Sequence, residues 1–200
     1  MSSLLNETEF SSEASNQHIK DIKLQVEYRY LAKNAPGGVF IMPEFNDIRK
    51  YHGVIFVKKG LYRDGIFRFT LVLPKEYNDV NTYPEITFTP PIFNPFIDPM
   101  TGILDLKQDP DKATWQPDKH YIRDALYFLK RSFYMKDFSV FENVANEEAR
   151  KLFKDDKECY AELVSKCVKE SCLRMLDEPE GNMIHFYAFY HYNHHYHYRS

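Results

Sequence analysis

Ile66-Phe67-Arg68-Phe69-Thr70-Leu71-Val72-Leu73 decides the fold class, because it alternates. Phe67, Phe69, Leu71 and Leu73 fall on one side of an extended chain, and Arg68 and Thr70 on the other. A period of two marks a strand with one buried face. Asp64-Gly65, just ahead of it, is a turn signal. Three short apolar runs flank this strand: Val39–Met42, which Pro43 is expected to stop; Gly53–Val57, followed by a turn at Lys58-Lys59-Gly60; and Ile86–Thr89, before Pro90-Pro91. Strands joined by short turns predict a four-stranded antiparallel meander.

Helical spacing surrounds the strands. Ile19, Ile22, Val26 and Tyr30 recur with the period of a helix, with Lys20, Asp21, Lys23 and Glu27 between them. They predict a first helix whose apolar stripe faces the core, ended by Asn34-Ala35-Pro36-Gly37-Gly38. Residues 92–117 show no period, carry Pro95, Pro99, Pro110 and Pro117, and hold one glycine, Gly102. A segment of this kind inside a domain is expected to be a long ordered loop. Beyond it, Asp118 is expected to cap a helix striped by Ile122, Leu126, Leu129 and Phe133. Asn146 is expected to cap a short helix with Ala149, Leu152 and Phe153, and a last helix spans Tyr160 to Leu176 with Leu163, Val164, Cys167 and Val168. The class is α+β: one sheet with helices segregated around it. The domain reading is a flexible leader over 1–15, one domain over 16–177, and a His/Tyr-rich tail without fixed structure over 178–200. Within that tail, Asn182–Ser200 has Arg199 as its only formal charge.

Composition narrows the function. Two hundred residues suit one domain, and 44% hydrophobic against 28% charged residues supports a packed core. A net charge of -3 argues against a general nucleic-acid binder. No apolar run approaches the ~20 residues of a membrane span, and Met1–Phe10 lacks the pattern of a secretory signal. The three cysteines all lie within Cys159–Cys172, a poor disulfide framework that fits a reducing cytosol. Their spacing lacks the paired knuckles of a zinc site. The tail's His185, His191, His194, His195 and His197 follow no one backbone geometry, so no metal or cofactor is expected.

Several pieces, in order, resemble the ubiquitin-conjugating (E2, UBC) family over roughly Gln17 to Asp156. They are Gly53-Val54-Ile55-Phe56, Asp64-Gly65-Ile66-Phe67-Arg68-Phe69, Leu73-Pro74 with Tyr77, Pro84-Glu85-Ile86-Thr87-Phe88, Asn94-Pro95 and Trp115-Gln116-Pro117. Three longer pieces are similar to the fused-toes / Akt-interacting-protein branch of that family: Gly60–Phe67, Phe93–Pro99 and Gly102–Lys107. The resemblance implies a UBC-like fold. It also implies what an active member carries: a cysteine in Gly-x-Ile-Cys-Leu, and an Asn after His-Pro that supports the oxyanion. In that register this chain presents Asp105 and Phe96. A thioester needs a thiolate, and a carboxylate cannot form one. Phe has no donor, and oxyanion support of that kind is worth about 3–4 kcal/mol in acyl transfer. The expectation is a pseudoenzyme with no E2 activity.

What is left for function is surface. Trp115 and Pro117 are expected as an interface anchor in their loop, and Ile66 and Arg68 as part of the sheet's outward patch. The branch resemblance implies a cytoplasmic scaffold in vesicle trafficking, with Hook-type coiled-coil adaptors and an Akt-type kinase as partners. The alternative is a variant that binds ubiquitin non-covalently and regulates conjugation.

Overall fold

The computed structural model of the chain describes residues 2–141 and 143–174; the tail read over 178–200 lies outside them. Four strands form one antiparallel sheet in sequence order, β1 (Val39–Glu44), β2 (Asp47–Phe56), β3 (Ile66–Val72) and β4 (Glu85–Phe88). Alternation fixes which way the sheet faces. The rows Val39–Ile55–Phe67, Ile41–Gly53–Phe69–Phe88 and Pro43–Tyr51–Leu71–Ile86 point inward. Gly53 is required here, because a Cβ would lie 2.2 Å from the Phe69 ring that crosses it. β1 runs through Pro43 rather than stopping there. It is an edge strand, where a proline's missing N–H need not face a partner, and its register shifts at Pro43/Glu44. The Asp64-Gly65 turn forms as expected, with Asp64 at φ 69° and Gly65 N donating to the Tyr62 carbonyl at 3.0 Å.

Four helices pack around the sheet: α1 (Ser2–Asn34), α2 (Ile122–Ser132), α3 (Glu147–Asp155) and α4 (Lys157–Leu173). α1 takes in residues 2–15, which the sequence set apart as a leader; Leu4, Leu5, Glu7, Glu9, Glu13 and Ala14 are good helix formers, and no Gly or Pro precedes Pro36. The larger correction concerns which face of α1 is buried. Leu24 and Leu31 enter the core, whereas Ile19, Ile22, Val26 and Tyr30 stand exposed. The helix carries apolar residues on two opposite sides, and spacing alone does not choose between them. α2 also begins later than expected. Asp118 is not its cap; Asp124 turns back to accept from Tyr121 N at 3.0 Å, while residues 116–120 form a separate turn. The stripe Ile122, Leu126, Leu129 and Phe133 is buried as read. Asn146 caps α3 through Ala149 N at 3.0 Å, and Asp156 caps α4 through Cys159 N at 3.0 Å.

Glu27 ties α1 to α2. Its Oε1 accepts from the Tyr77 hydroxyl at 2.9 Å and from Ile122 N, the first N–H of α2, at 2.5 Å. Burial pushes the Glu27 carboxyl above its ordinary value, Asp124 adds to the rise, and the two hydrogen bonds oppose it. A raised folded pKa means that stability is lost as pH climbs through it. Glu27→Gln keeps the accepting oxygen and removes the titration. In urea unfolding its stability should match wild type below pH 4.5 and exceed it increasingly at higher pH. Curves that stay parallel across pH 4–8 would contradict this account.

Candidate functional site

Residues 92–117 form an ordered loop, as their prolines suggest, and it is pinned at several points. Asn94, fully buried, donates from Nδ2 to the Tyr62 hydroxyl and the Ser132 carbonyl, both at 3.1 Å, and accepts from Phe96 N at 3.0 Å. Tyr62 in turn donates to the Phe93 carbonyl and shares a 2.7 Å contact with the Tyr160 hydroxyl of α4. The chain then doubles back. Ile97 and Leu104 bridge antiparallel, and Asp105 N donates to the Phe96 carbonyl at 2.9 Å. Phe96 and Asp105, nine residues apart in sequence, are thus direct neighbours across this bridge. Gly102 sits at the turn between them with φ 76°, and its carbonyl accepts from Phe88 N at 2.9 Å, so the loop lies along β4.

Asp105 is half-buried and its side chain is engaged. Oδ1 accepts from Lys107 N at 3.1 Å, capping a single 3-10 turn over Leu106–Gln108, and Oδ2 accepts from Gln108 Nε2 at 3.0 Å. Gln108 Nε2 also donates to the Asn143 carbonyl. Asp109 repeats the device, capping the next turn, Pro110–Lys112, from Asp111 N at 3.3 Å. Asp109 is 1% exposed and forms ion pairs with Lys112 and, at 2.9 Å, with Arg131 of α2. Burial pushes its pKa up, but the Lys112 hydrogen bond and the charges of Lys112 and Arg131 outweigh that and hold it below the ordinary value. Tyr83 donates to the Lys112 and Ala113 carbonyls, and the Lys107 ammonium stands 5.6 Å above its ring. The surface around Asp105 is therefore a hydrogen-bonded loop.

Phe96 is fully buried. Its ring meets Phe128 at 5.4 Å, Phe138 at 5.1 Å and Phe141 at 4.8 Å. Phe96 is thus a core anchor, and its ring presents no hydrogen-bond donor. No cysteine lies in this loop; all three are on α4. Burial pushes the Cys167 thiol up, the direction opposite to activation, and Cys172 Sγ contacts the Asp64 carbonyl at 3.4 Å. Among the described residues no group of His, Cys, Asp and Glu is arranged to hold a metal ion, and no helix is long and apolar enough to cross a membrane.

Trp115 is not an exposed anchor. It is fully buried, its Nε1 donates to Asn78 Oδ1 at 2.6 Å, and it packs against Tyr77, Tyr83 and His120. An indole needs one acceptor for its N–H and a large apolar pocket, and the turn over 77–83 supplies both. Pro117 beside it is half-buried. Ile66 and Arg68 lie on the outer face of the sheet, both half-buried. The exposed stripe of α1 is the surface that sequence reasoning missed, because those residues were assigned to the core. Leu24 and Leu31, on the other side of the same helix, were the signal that could have reversed the assignment.

A four-stranded meander with an N-terminal helix, a loop laid along β4 and C-terminal helices is the architecture of one class. The chain belongs to the ubiquitin-conjugating enzyme family, whose model matches residues 23–168. Among solved structures it is similar to the E2 domain of a Toxoplasma gondii ubiquitin conjugating enzyme, with TM-score 0.60 and 21% identity over 74% of this chain and 96% of that one. It is also similar to a putative ubiquitin conjugating enzyme from Plasmodium yoelii, with TM-score 0.62 and 20% identity over 75% of this chain and 93% of that one. Within the family, it is 32% identical to the AKT-interacting protein of Homo sapiens over 160 residues, 80% of this chain. It is 31% identical to the crossbronx homolog of Anopheles gambiae over 163 residues, 80% of this chain and 71% of that protein. The chain spans about half the length of the AKT-interacting proteins it matches, 53% for the human one.

Proposed function

We propose that this chain is a non-catalytic member of its family that works as a protein–protein interaction scaffold in the cytoplasm. One observation carries the reading: Asp105, in the register of the nucleophile, spends both carboxylate oxygens on capping its own turn. Phe96 across the bridge supports it, because a ring packed among three others offers no hydrogen bond to an oxyanion. The test is charging with E1, ATP and ubiquitin. Wild type should give no adduct cleaved by thiols. Asp105→Cys should charge at less than a tenth of the level of an active family member, since it gains sulfur but still has no amide donor at 96. A robust thiol-sensitive adduct on wild type would overturn the proposal.

The docking surface we assign to this scaffold is the exposed stripe of α1. Val26 is 61% and Tyr30 64% exposed, and with Ile19 and Ile22 they repeat at the spacing that a partner helix reads. The relatives named AKT-interacting protein support an Akt-type kinase as a protein partner, and the branch resemblance adds Hook-type coiled-coil adaptors in vesicle trafficking. Val26→Asp with Tyr30→Asp should cut retention of a Hook-type coiled coil at least tenfold while leaving the melting temperature within a few degrees, because neither side chain enters the core. Undiminished retention would remove the stripe from the proposal.

The runner-up is non-covalent ubiquitin binding on the outer sheet face, around Ile66 and Arg68. Saturable amide shifts on β3 during a ubiquitin titration would favour it, and their absence would favour the scaffold.

A further inference from the structure

The turn between β2 and β3 holds cations and one apolar side chain out to solvent on a fixed base. Val57 N donates to the Gly65 carbonyl at 3.0 Å, Asp64 N to the Val57 carbonyl at 2.8 Å, and Arg63 N to the Gly60 carbonyl at 3.2 Å. Gly60, at φ 84°, makes the bend. Tyr62 is the root of the turn: it is buried, and its hydroxyl reaches the Phe93 carbonyl and the Tyr160 hydroxyl. Around it Lys58, Lys59, Gly60 and Leu61 are exposed, Leu61 by 49%.

Two neighbouring segments add charge beside this turn. The Tyr134 hydroxyl accepts from Lys58 N at 3.2 Å, which places the chain after α2 against the turn, and exposed Lys136 follows two residues on. On the other side Phe56 N donates to the Gly38 carbonyl at 2.8 Å, and the Lys130 ammonium of α2 donates to the Gly37 carbonyl at 2.7 Å. This is where α1 has just ended, with exposed Lys33 in its last turn. Arg63 spends its charge on Asp64 at 3.3 Å. Among the described residues Lys33, Lys58, Lys59, Lys130 and Lys136 form no ion pair. The whole chain carries a net charge of -3, so this end is cationic against the balance of the molecule.

We infer that this end of the domain docks on an anionic lipid surface, with the five lysines facing the headgroups and Leu61 entering the boundary with the acyl chains. Charge complementarity selects a negative partner. A projecting turn tipped by a leucine suits a bilayer, which yields around it, whereas a peptide needs a cleft. The contact is peripheral, because each lysine held near such a surface raises partition only by roughly fivefold and the attraction fades beyond a Debye length. Tyr62 and the hydrogen bonds of the turn keep Leu61 presented before contact, so little ordering is left to the docking step.

The experiment is co-sedimentation of the full chain with phosphatidylcholine vesicles carrying about 30% phosphatidylserine, beside vesicles of phosphatidylcholine alone. The protein should pellet with the anionic vesicles only, and raising salt from about 0.1 M to about 1 M should release it. Lys58→Gln with Lys59→Gln should lower the partition at least tenfold, and Leu61→Ser severalfold, with melting temperatures unchanged because these side chains are exposed. Lys75→Gln with Lys119→Gln makes the same change in net charge at exposed positions at the other end of the sheet, and should stay within twofold of wild type. An equal loss in that control pair, equal pelleting with neutral vesicles, or no pelleting at all would each overturn the inference. So would retention on polyglutamate or RNA without retention on vesicles, which would give the patch to an acidic macromolecule instead.

Discussion

Gly102→Ala should cost the protein about 3–5 kcal/mol, one of the two largest single-residue losses expected. Two effects coincide there. The residue sits at φ 76°, where a side chain is strained by about 1–2 kcal/mol. A Cβ would also lie 2.2 Å from the Phe88 carbonyl oxygen, which is backbone and cannot swing aside. Relief requires the turn to lift off β4, which breaks the bond from Phe88 N to the Gly102 carbonyl and strains its neighbour from Leu104 N to the Ile86 carbonyl. Each such bond contributes about 0.5–1.5 kcal/mol. Gly37→Ala is the internal control: its φ is not positive, and its nearest neighbour, Lys130 Nζ, is 4.0 Å from the built Cβ. Urea unfolding should show a large fall in midpoint for Gly102→Ala and little change for Gly37→Ala. Equal effects would mean that the loop is not held against the strand.

The second large effect is Asp109→Ala. Removing one partner of a buried charge cluster costs about 3–5 kcal/mol, because the remaining charge stays desolvated. Here the stranded charge is Lys112, whose side chain is 11% exposed, whereas Arg131 is 45% exposed and can turn to water. The double variant Asp109→Ala/Lys112→Met should regain at least half of the loss, since it leaves no buried charge. The pH dependence follows from the lowered Asp109 pKa. Its contribution is complete above the ordinary carboxylate value of 3.8 and is lost as pH falls through the depressed folded value, so wild type and Asp109→Ala should converge in acid. Failure of the double variant to recover stability would assign the loss to the cap that Asp109 gives Asp111 N and to its pair with Arg131, and not to a stranded Lys112 charge. The damage should spread to the candidate site, because the Lys112 carbonyl is one of the two acceptors that hold Tyr83.

Sheet and helix order are legible in the sequence for a physical reason. A half-buried antiparallel sheet forces a period of two, and Ile66–Leu73 shows it without interruption. The stripe of α2 is equally plain, because that helix has one apolar side. α1 defeats the same reasoning because it has two, and the buried one is chosen by long-range partners: Glu27 meets Tyr77 and Ile122. Side-chain oxygens explain the other misreadings. Asp118 and Asp124 are equally good caps by composition, and only the turn over 116–120 decides between them. In the candidate site, the family resemblance singled out Phe96 and Asp105, and the structure sets them side by side across the Ile97–Leu104 bridge. The engagement of both Asp105 oxygens, and the enclosure of Trp115, depend on loop geometry that no spacing encodes.

The capped turn at Asp105 sets what the position tolerates. A thiol there is one weak acceptor where the fold now draws on two strong ones, so Asp105→Cys loosens the 3-10 turn it caps. The ring at 96 is equally intolerant, since an amide in that pocket would be stranded among phenyl groups. The two neighbours across the bridge are thus held by opposite means, one by hydrogen bonds and the other by their absence.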